Sequence, residues 1–357
     1  MEKRLANLRK ILKEKQVDGL LITGASNRRY ITGFTGSAGF VLISQNDAVF
    51  ITDFRYIEQA KKQAENFEIV QHKVSIVETV KEQAVKTGIK SLGFEQDILT
   101  YAEFKQIEEK LTDINLVPLS LTVENLRMIK DENEIRLIRK AAEIAETAFT
   151  NILNTIRPGI KEVDVALELE YQMKKLGAEK SAFDIIVASG HRSALPHGIA
   201  SEKVIEYGDF VTIDFGAVFK GYSSDITRTV IVGQANEKQK EIYNIVLEAQ
   251  LNGVNNIKAG MSGREADALT REIIEKYGFS ENYGHGTGHG IGLDVHEGPT
   301  VAPKGKDVIL QSGNVVTVEP GIYIPEFGGV RIEDDVLITD AGREILTKLK
   351  KDLLIIN

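Results

Sequence analysis

FVTIDFGAVFKGYSSDITRT, residues 210–229, reads as a β-hairpin with a carboxylate on each arm. Val211, Ile213 and Phe215 alternate with Thr212, Asp214 and Gly216, so one face is apolar and the other carries Asp214. Past the turn, Asp225, Thr227 and Thr229 share one face and Ile226, Arg228 and Val230 the other. The midpoint between Asp214 and Asp225 falls at Phe219 and Lys220, just before Gly221, a residue suited to a turn. A hairpin folded symmetrically there sets the two carboxylates opposite each other, with Cβ atoms about 5 Å apart. Like charges that close are destabilising unless a cation or a proton lies between them. Taken alone, the same pattern also fits a solvated hairpin with two surface aspartates.

Working outward, the neighbouring sequence repeats. RPGIKEVDVAL at 157–167 leads into a helix that stops at Gly177, and KAGMSGREADAL at 258–269 leads into one that stops at Gly278. A long amphipathic helix precedes each copy. The first starts at Asp131, with Glu134 completing a capping box, and its apolar stripe runs through Ile135, Ile138, Ala142, Ala145, Phe149 and Ile152 to the breaker Pro158-Gly159. The copies lie about 100 residues apart, which predicts two similar α/β halves in one domain. A cleft between such halves draws residues from both.

The second half carries its own acidic ribbon. In NVVTVE, residues 314–319, Val315, Thr317 and Glu319 share a face, as do Arg331 and Glu333 after the turn. The midpoint of Glu319 and Glu333 is Glu326, inside the Pro325–Gly329 turn, so these carboxylates are expected to face each other. Five of the six histidines lie between 191 and 296. In GHGTGHGIG, residues 284–292, glycine takes every second position, which predicts His285, Thr287 and His289 on one face of an extended chain and bare backbone on the other. His296 and His197 are further candidates, whereas His191 and His72 have no role and default to exposed or structural positions. Four carboxylates and one imidazole on converging strands suit two oxygen-preferring divalent cations, manganese, cobalt or zinc. Such a pair shares a water whose pKa falls toward neutrality. The remaining histidines and Arg331 are then free to bind substrate and stabilise an oxyanion.

Residues 1–120 alternate helical and strand patterns: a helix to about Lys15, strands near Asp18–Thr23, Gly39–Ile43, Ala48–Asp53 and Ser91–Phe94, and helices near Ile57–Ala64, Ser75–Lys86 and Tyr101–Leu111. Asn27 to Tyr30 and Asp53 to Tyr56 are expected to pair on the surface. Residues 121–130 read as a linker, and 131–357 as the second domain. The 357-residue chain has no cysteine, so any metal must be held by oxygen and imidazole nitrogen. Residues 1–125 hold 17 basic and 17 acidic side chains, and the remainder 27 basic and 35 acidic. That acidic excess argues against a nucleic-acid partner. A charged N-terminal stretch without an apolar signal region, and no apolar run long enough to span a bilayer, predict a cytoplasmic protein without membrane association.

TIDFGA, GYSSDITRT, GHGTGHGIGLDVHEGP, TVEPGIY and VRIEDD together resemble the motif set of the pita-bread metallopeptidases, and within them the prolidase and aminopeptidase P branch. The resemblance implies an α/β (α+β) chain: a creatinase-like N-terminal α/β domain followed by a pseudo-twofold duplicated pita-bread catalytic domain. It implies two divalent metal ions per subunit, manganese foremost, with Asp214 on one, His289 and Glu319 on the other, and Asp225 and Glu333 bridging. It further implies that Glu319 shuttles protons, and that His197 and His296 contact the scissile carbonyl and the tetrahedral intermediate. His285 would help hold the substrate, and Arg331 would anchor Asp225 or relay a proton. The expected activity is hydrolysis of the bond between an N-terminal residue and a following proline, by a homodimer acting on proline-containing peptides. An aminopeptidase of the same fold without proline specificity, and an inactive binding module, are the alternatives.

Overall fold

The computed structural model describes residues 2–305 and 308–356, in two compact units, Met1–Arg127 and Met128–Asn357. The first unit is a six-stranded sheet in the order Glu68–Gln71, Ala48–Thr52, Phe40–Ser44, Gly19–Ile22, Ser91–Glu95, Asn115–Leu119. Helices such as Ile76–Lys86 and Tyr101–Lys110 cover it, and Leu21, Leu42, Ile51, Val80, Leu92 and Ile107 form the core. The outer strands Glu68–Gln71 and Asn115–Leu119, and the helix Ala25–Thr32, were not anticipated from the sequence. The expectation of surface pairing fails at Asn27–Tyr30: Asn27, Arg28 and Tyr30 are buried. Asn27 donates to Glu95 Oε1 (2.7 Å) and accepts from Arg127 Nη1 (2.8 Å), so this helix turns polar groups inward and satisfies them there. The Asp53–Arg55 pair is at the surface as expected. The stretch 121–130 is not a plain linker, because Thr122–Arg127 forms a helix within the first unit.

The second unit begins its regular structure with the helix Glu132–Ile152. Asp131 accepts from the Glu134 amide and Glu134 accepts from the Asp131 amide, the reciprocal cap expected from the sequence. The anticipated stripe from Ile135 to Ile152 is buried, and Phe149 stacks on Phe215 with ring centroids 5.3 Å apart. Trimming Phe215 to alanine would cost about 3–5 kcal/mol in such a core. Glu162–Lys175 follows, then the antiparallel strands Ile186–Ser189, Phe210–Phe215 and Ile226–Val232. The same order recurs in the helices Glu237–Asn256 and Gly263–Lys276 and the strands Gly288–Gly290, Val315–Val318 and Asp334–Thr339. The duplication is therefore structural as well as sequential. Leu354–Ile356 pairs in parallel with Ile226–Val232, so a strand from beyond the second half borders the sheet of the first.

The two acidic ribbons differ in register. In the first, Lys220 and Gly221 both have positive φ (47° and 85°) and form a two-residue turn closed by the Phe219–Tyr222 pair. Asp214 therefore pairs with Thr227, not with Asp225, and the expected face-to-face aspartates become diagonal neighbours. Asp225 falls opposite Gly216, where a Cβ would lie 1.9 Å from the Ser224 carbonyl oxygen. In the second ribbon, the pairs Val318–Asp334 and Gly321–Arg331 bracket Glu319 and Glu333, which face each other as the sequence predicts.

Candidate metal centre

Threonines join the two ribbons. Thr229 Oγ1 donates to the Arg331 carbonyl (3.0 Å) and lies 3.0 Å from Thr212 Oγ1, and the Glu333 amide donates to the Thr227 carbonyl (3.2 Å). The face bearing Asp214 and Asp225 is thereby held against the strand bearing Arg331 and Glu333. Between them opens a cleft of about 520 Å³ whose lining includes Asp214, Asp225, His289, Glu319, Glu333, Arg331, His197, His285 and His296. Every residue singled out from the sequence for the site is in that lining. Phe183, Ile186, Pro196 and Ile199 supply its apolar wall.

Asp225, His289 and Glu333 each offer a ligand atom within 4.8 Å of the others. His289 Nε2 stands 3.7 Å from Asp225 Oδ2 and 3.4 Å from Glu319 Oε1. Its other nitrogen, Nδ1, is 3.1 Å from the Gly290 carbonyl, which accepts only if Nδ1 carries the proton. That bond fixes the tautomer and leaves the Nε2 lone pair facing the carboxylates. Burial pushes the His289 pKa down to about 4, so the ring is neutral at pH 7 and available as a ligand.

The carboxylates are crowded. Burial, then Glu333, Asp214 and Glu319, raises the Asp225 carboxyl well above its ordinary range. Burial and Glu319 do the same to Glu333, and burial lifts Glu319 to about 8 against the pull of Arg331. Asp214 Oδ1 and Asp225 Oδ1 are buried and accept no hydrogen bond. Leaving such an acceptor unpaired costs about 1–3 kcal/mol. Orphaned oxygens, an oriented imidazole and mutually repelling carboxylates are what a bound cation would satisfy, so these residues fit a divalent metal.

Arg331, the only arginine or lysine in the lining among the described residues, takes a different place from that expected. Its Nη2 donates to Asp214 Oδ2 (2.7 Å), its Nη1 to Tyr323 Oη (2.8 Å) and its Nε to Thr227 Oγ1 (3.1 Å). It thus anchors Asp214, and the expectation that it anchors Asp225 is corrected; the register of the first ribbon is the reason. Tyr323, occupied as an acceptor for Arg331, donates to His285 Nε2 (2.9 Å), whose Nδ1 donates to the Gly286 carbonyl (2.8 Å). His285, pushed down to about 4 by burial, is a neutral ring in fixed orientation. The His296 ring lies against that of His289, with centroids 4.0 Å apart and the planes tilted by 36°.

Thr287 departs from the face predicted for it. It is buried and turned to Asp267, while His285 and His289 line the cleft. The alternate glycines have a packing cause: a Cβ on Gly288 would sit 2.0 Å from the Thr317 carbonyl, and one on Gly290 2.0 Å from the Gly298 carbonyl. Sequence reasoning passed over Thr227, Thr317 and Tyr323. Thr227 Oγ1 donates to Glu333 Oε2 (2.6 Å) and Thr317 Oγ1 to Glu319 Oε1 (3.2 Å). Both threonines sit two residues from a ligand candidate on the same strand face, a signal the alternation contained.

The family model of metallopeptidase family M24 matches residues 136–340, and that of the creatinase/prolidase N-terminal domain matches residues 4–129. The chain is similar to an uncharacterized peptidase, YqhT, of Bacillus subtilis, at 53% identity over 99% of this chain and 100% of that one. Among solved structures it is similar to an Xaa-Pro dipeptidase from Bacillus anthracis, with 57% identity, a TM-score of 0.97 and 99% of each chain covered. An X-Pro aminopeptidase from Thermotoga maritima MSB8 matches with 42% identity and a TM-score of 0.90, over 95% of this chain and 98% of that one.

Proposed function

The chain belongs to metallopeptidase family M24 and carries a creatinase/prolidase N-terminal domain, and from that premise we propose that it is a dinuclear Xaa-Pro peptidase, hydrolysing the bond between an N-terminal residue and a following proline. The observation that carries the reading is the tautomer-fixed His289, whose Nε2 faces Asp225 and Glu319 in a cleft that Asp214 and Glu333 also line. Asp214, Asp225, His289, Glu319 and Glu333 would hold two divalent cations, with manganese as the native metal. When bound, such a pair supplies a nucleophilic hydroxide at neutral pH and polarises the scissile carbonyl.

The protein's own groups do the rest. Glu319 would take the proton of the attacking water at Oε and return it to the departing proline nitrogen. His296 and His197 donate to the oxygen of the scissile carbonyl as charge develops there. His285, held by Tyr323, orients the peptide, and Arg331 keeps Asp214 in place through its fork. The apolar wall of Phe183, Ile186 and Pro196 suits a proline ring and excludes water from it.

The test is turnover of Ala-Pro, Ala-Pro-Ala and Ala-Ala by protein stripped with a strong chelator and then reloaded with Mn2+. Cleavage of the proline peptides that vanishes on stripping and returns on reloading supports the reading. Full Xaa-Pro activity in the stripped protein, or an equal rate on Ala-Ala, sinks it. A second reading, preference for peptides longer than two residues, draws on the likeness to the Thermotoga maritima X-Pro aminopeptidase, and the ratio of Ala-Pro-Ala to Ala-Pro turnover decides it. No helix among the described residues is long and apolar enough to cross a membrane. A cytoplasmic homodimer is part of the same proposal, tested by cell fractionation and sedimentation.

A further inference from the structure

Two buried carboxylates outside the cleft are each built into the same device. Glu162, fully buried at the start of the helix Glu162–Lys175, accepts at Oε1 from the Ser189 amide (2.7 Å) and hydroxyl (2.8 Å). Its Oε2 accepts from the Ser201 amide (3.1 Å) and hydroxyl (2.7 Å), and from Arg192 Nη1. Arg192 in turn donates through Nη2 to the Ile199 carbonyl (2.9 Å). Ser189 and Ser201 are the two stems of the segment that carries His197, so one carboxylate closes the loop at both ends and its arginine braces the middle.

In the second half Asp267, also buried, accepts at Oδ1 from the Thr287 amide and hydroxyl (2.9 Å each). It pairs with Arg271, whose Nε lies 2.7 Å from Oδ2 and whose Nη2 donates to the His285 carbonyl (2.7 Å). Thr287 stands between His285 and His289. In both halves, then, a buried helical carboxylate grips amides and hydroxyls, of two serines in the first half and one threonine in the second, and its arginine holds a backbone carbonyl at or two residues from a cleft histidine. The duplicated helices supply these carboxylates from different positions.

We infer that Glu162 and Asp267 are positioning residues with divided duties: Glu162 holds the His197 loop in place for the substrate, and Asp267 holds the His285–His289 segment in place for the metal. The division follows from what each segment carries, and it rests on the ligand and substrate roles proposed above. A carboxylate that merely stabilised the fold would lower thermal stability without separating metal affinity from turnover.

The experiment compares Glu162→Gln and Asp267→Asn with the wild-type protein by Mn2+ titration calorimetry, amide hydrogen exchange, and kcat and KM on whichever peptide the wild type cleaves best. Glu162→Gln is expected to keep Mn2+ affinity within about threefold, to speed exchange across 190–200, and to lower kcat by about ten- to a hundredfold with KM nearly unchanged. Asp267→Asn is expected to weaken Mn2+ by about ten- to a hundredfold, the usual cost of losing an outer-shell partner. Should either fail to fold, Ser201→Ala and Thr287→Val, which remove one hydroxyl each, are expected to give the same split at smaller size. Equal loss of Mn2+ affinity in both variants, or wild-type affinity, kinetics and 190–200 exchange beside a lowered melting temperature, overturns the assignment. A wild-type protein inactive on Xaa-Pro peptides counts against the proposed activity alone, because calorimetry and exchange still read the two devices.

Discussion

The two acidic ribbons occupy equivalent places in the duplicated unit, yet they deal with their charge differently. In the first, Asp214 and Asp225 are staggered, and Asp214 has a permanent cation from the other ribbon, Arg331 at 2.7 Å. In the second, Glu319 and Glu333 face each other and accept hydrogen bonds from the hydroxyls of Thr317 and Thr227. Without a metal, burial and mutual repulsion favour the protonated form of these two carboxyls. The first copy's Asp214 is therefore neutralised by an arginine that the second copy supplies, while Asp225, Glu319 and Glu333 have no lysine or arginine ion pair among the described residues.

The comparison is broken most severely by removing a ligand of the second ribbon. Glu333→Ala is expected to lower kcat by about a thousandfold or more, beyond the range for outer-shell partners, and to abolish stoichiometric Mn2+ by elemental analysis. Retained metal with retained activity would show that the ribbon is not the centre.

Acidity tests the second ribbon next. The Glu319 carboxyl is raised from 4.5 to about 8, so the folded metal-free chain binds more protons than the unfolded chain across that window. Its stability is then expected to fall as pH rises from about 5 to 8. Mn2+ needs the ionised carboxylates, so its affinity should climb in the same window with protons released, by up to about tenfold per pH unit for each proton displaced. Melting curves with and without Mn2+ check this, and a metal-free curve that rises toward pH 8 would contradict it. Asp334, held low by Arg228 and Lys351 against its burial, acts in the opposite sense, losing its contribution only as pH falls below the ordinary carboxylate range.

Arg331→Lys keeps the charge but loses the fork that spans Asp214, Tyr323 and Thr227. A drop of about ten- to a hundredfold in kcat is expected, with pH dependence changed more than KM; an unchanged profile would mean that charge without the fork suffices for the first ribbon. The smallest effect concerns the turn. Lys220 has φ 47° and is exposed, and asparagine tolerates that region better. Lys220→Asn is expected to stabilise by about 0.5 kcal/mol, a rise of about 1–2 °C in melting temperature, with kcat unchanged.

The sequence was most legible where alternation and turn chemistry agreed. Glu319 and Glu333 were placed correctly because a centred turn and two clean strand faces point to one register. The first ribbon went astray by two residues because centring the turn on the aspartates ignored the two-residue geometry that Lys220-Gly221 imposes. The pairing of Arg331 with Asp225 was implied by the family resemblance alone, and the structure pairs it with Asp214 instead. Thr287 was misplaced because only Gly288–Gly290 is extended, while the residues before it turn toward Asp267. In the first unit the helix Ala25–Thr32 escaped notice because it buries Asn27 and Arg28, and apolar periodicity cannot register a polar interior. The clamps at Glu162 and Asp267 lay inside the repeat that revealed the duplication, but their meaning depends on serines and threonines brought from far along the chain.

The strand Leu354–Ile356 gives the duplication a lopsided dependence. A fragment ending after the first copy would leave the edge of Ile226–Val232 unpaired, offering its backbone groups to any passing chain. The present protein cannot be cut at its internal symmetry point without exposing that edge.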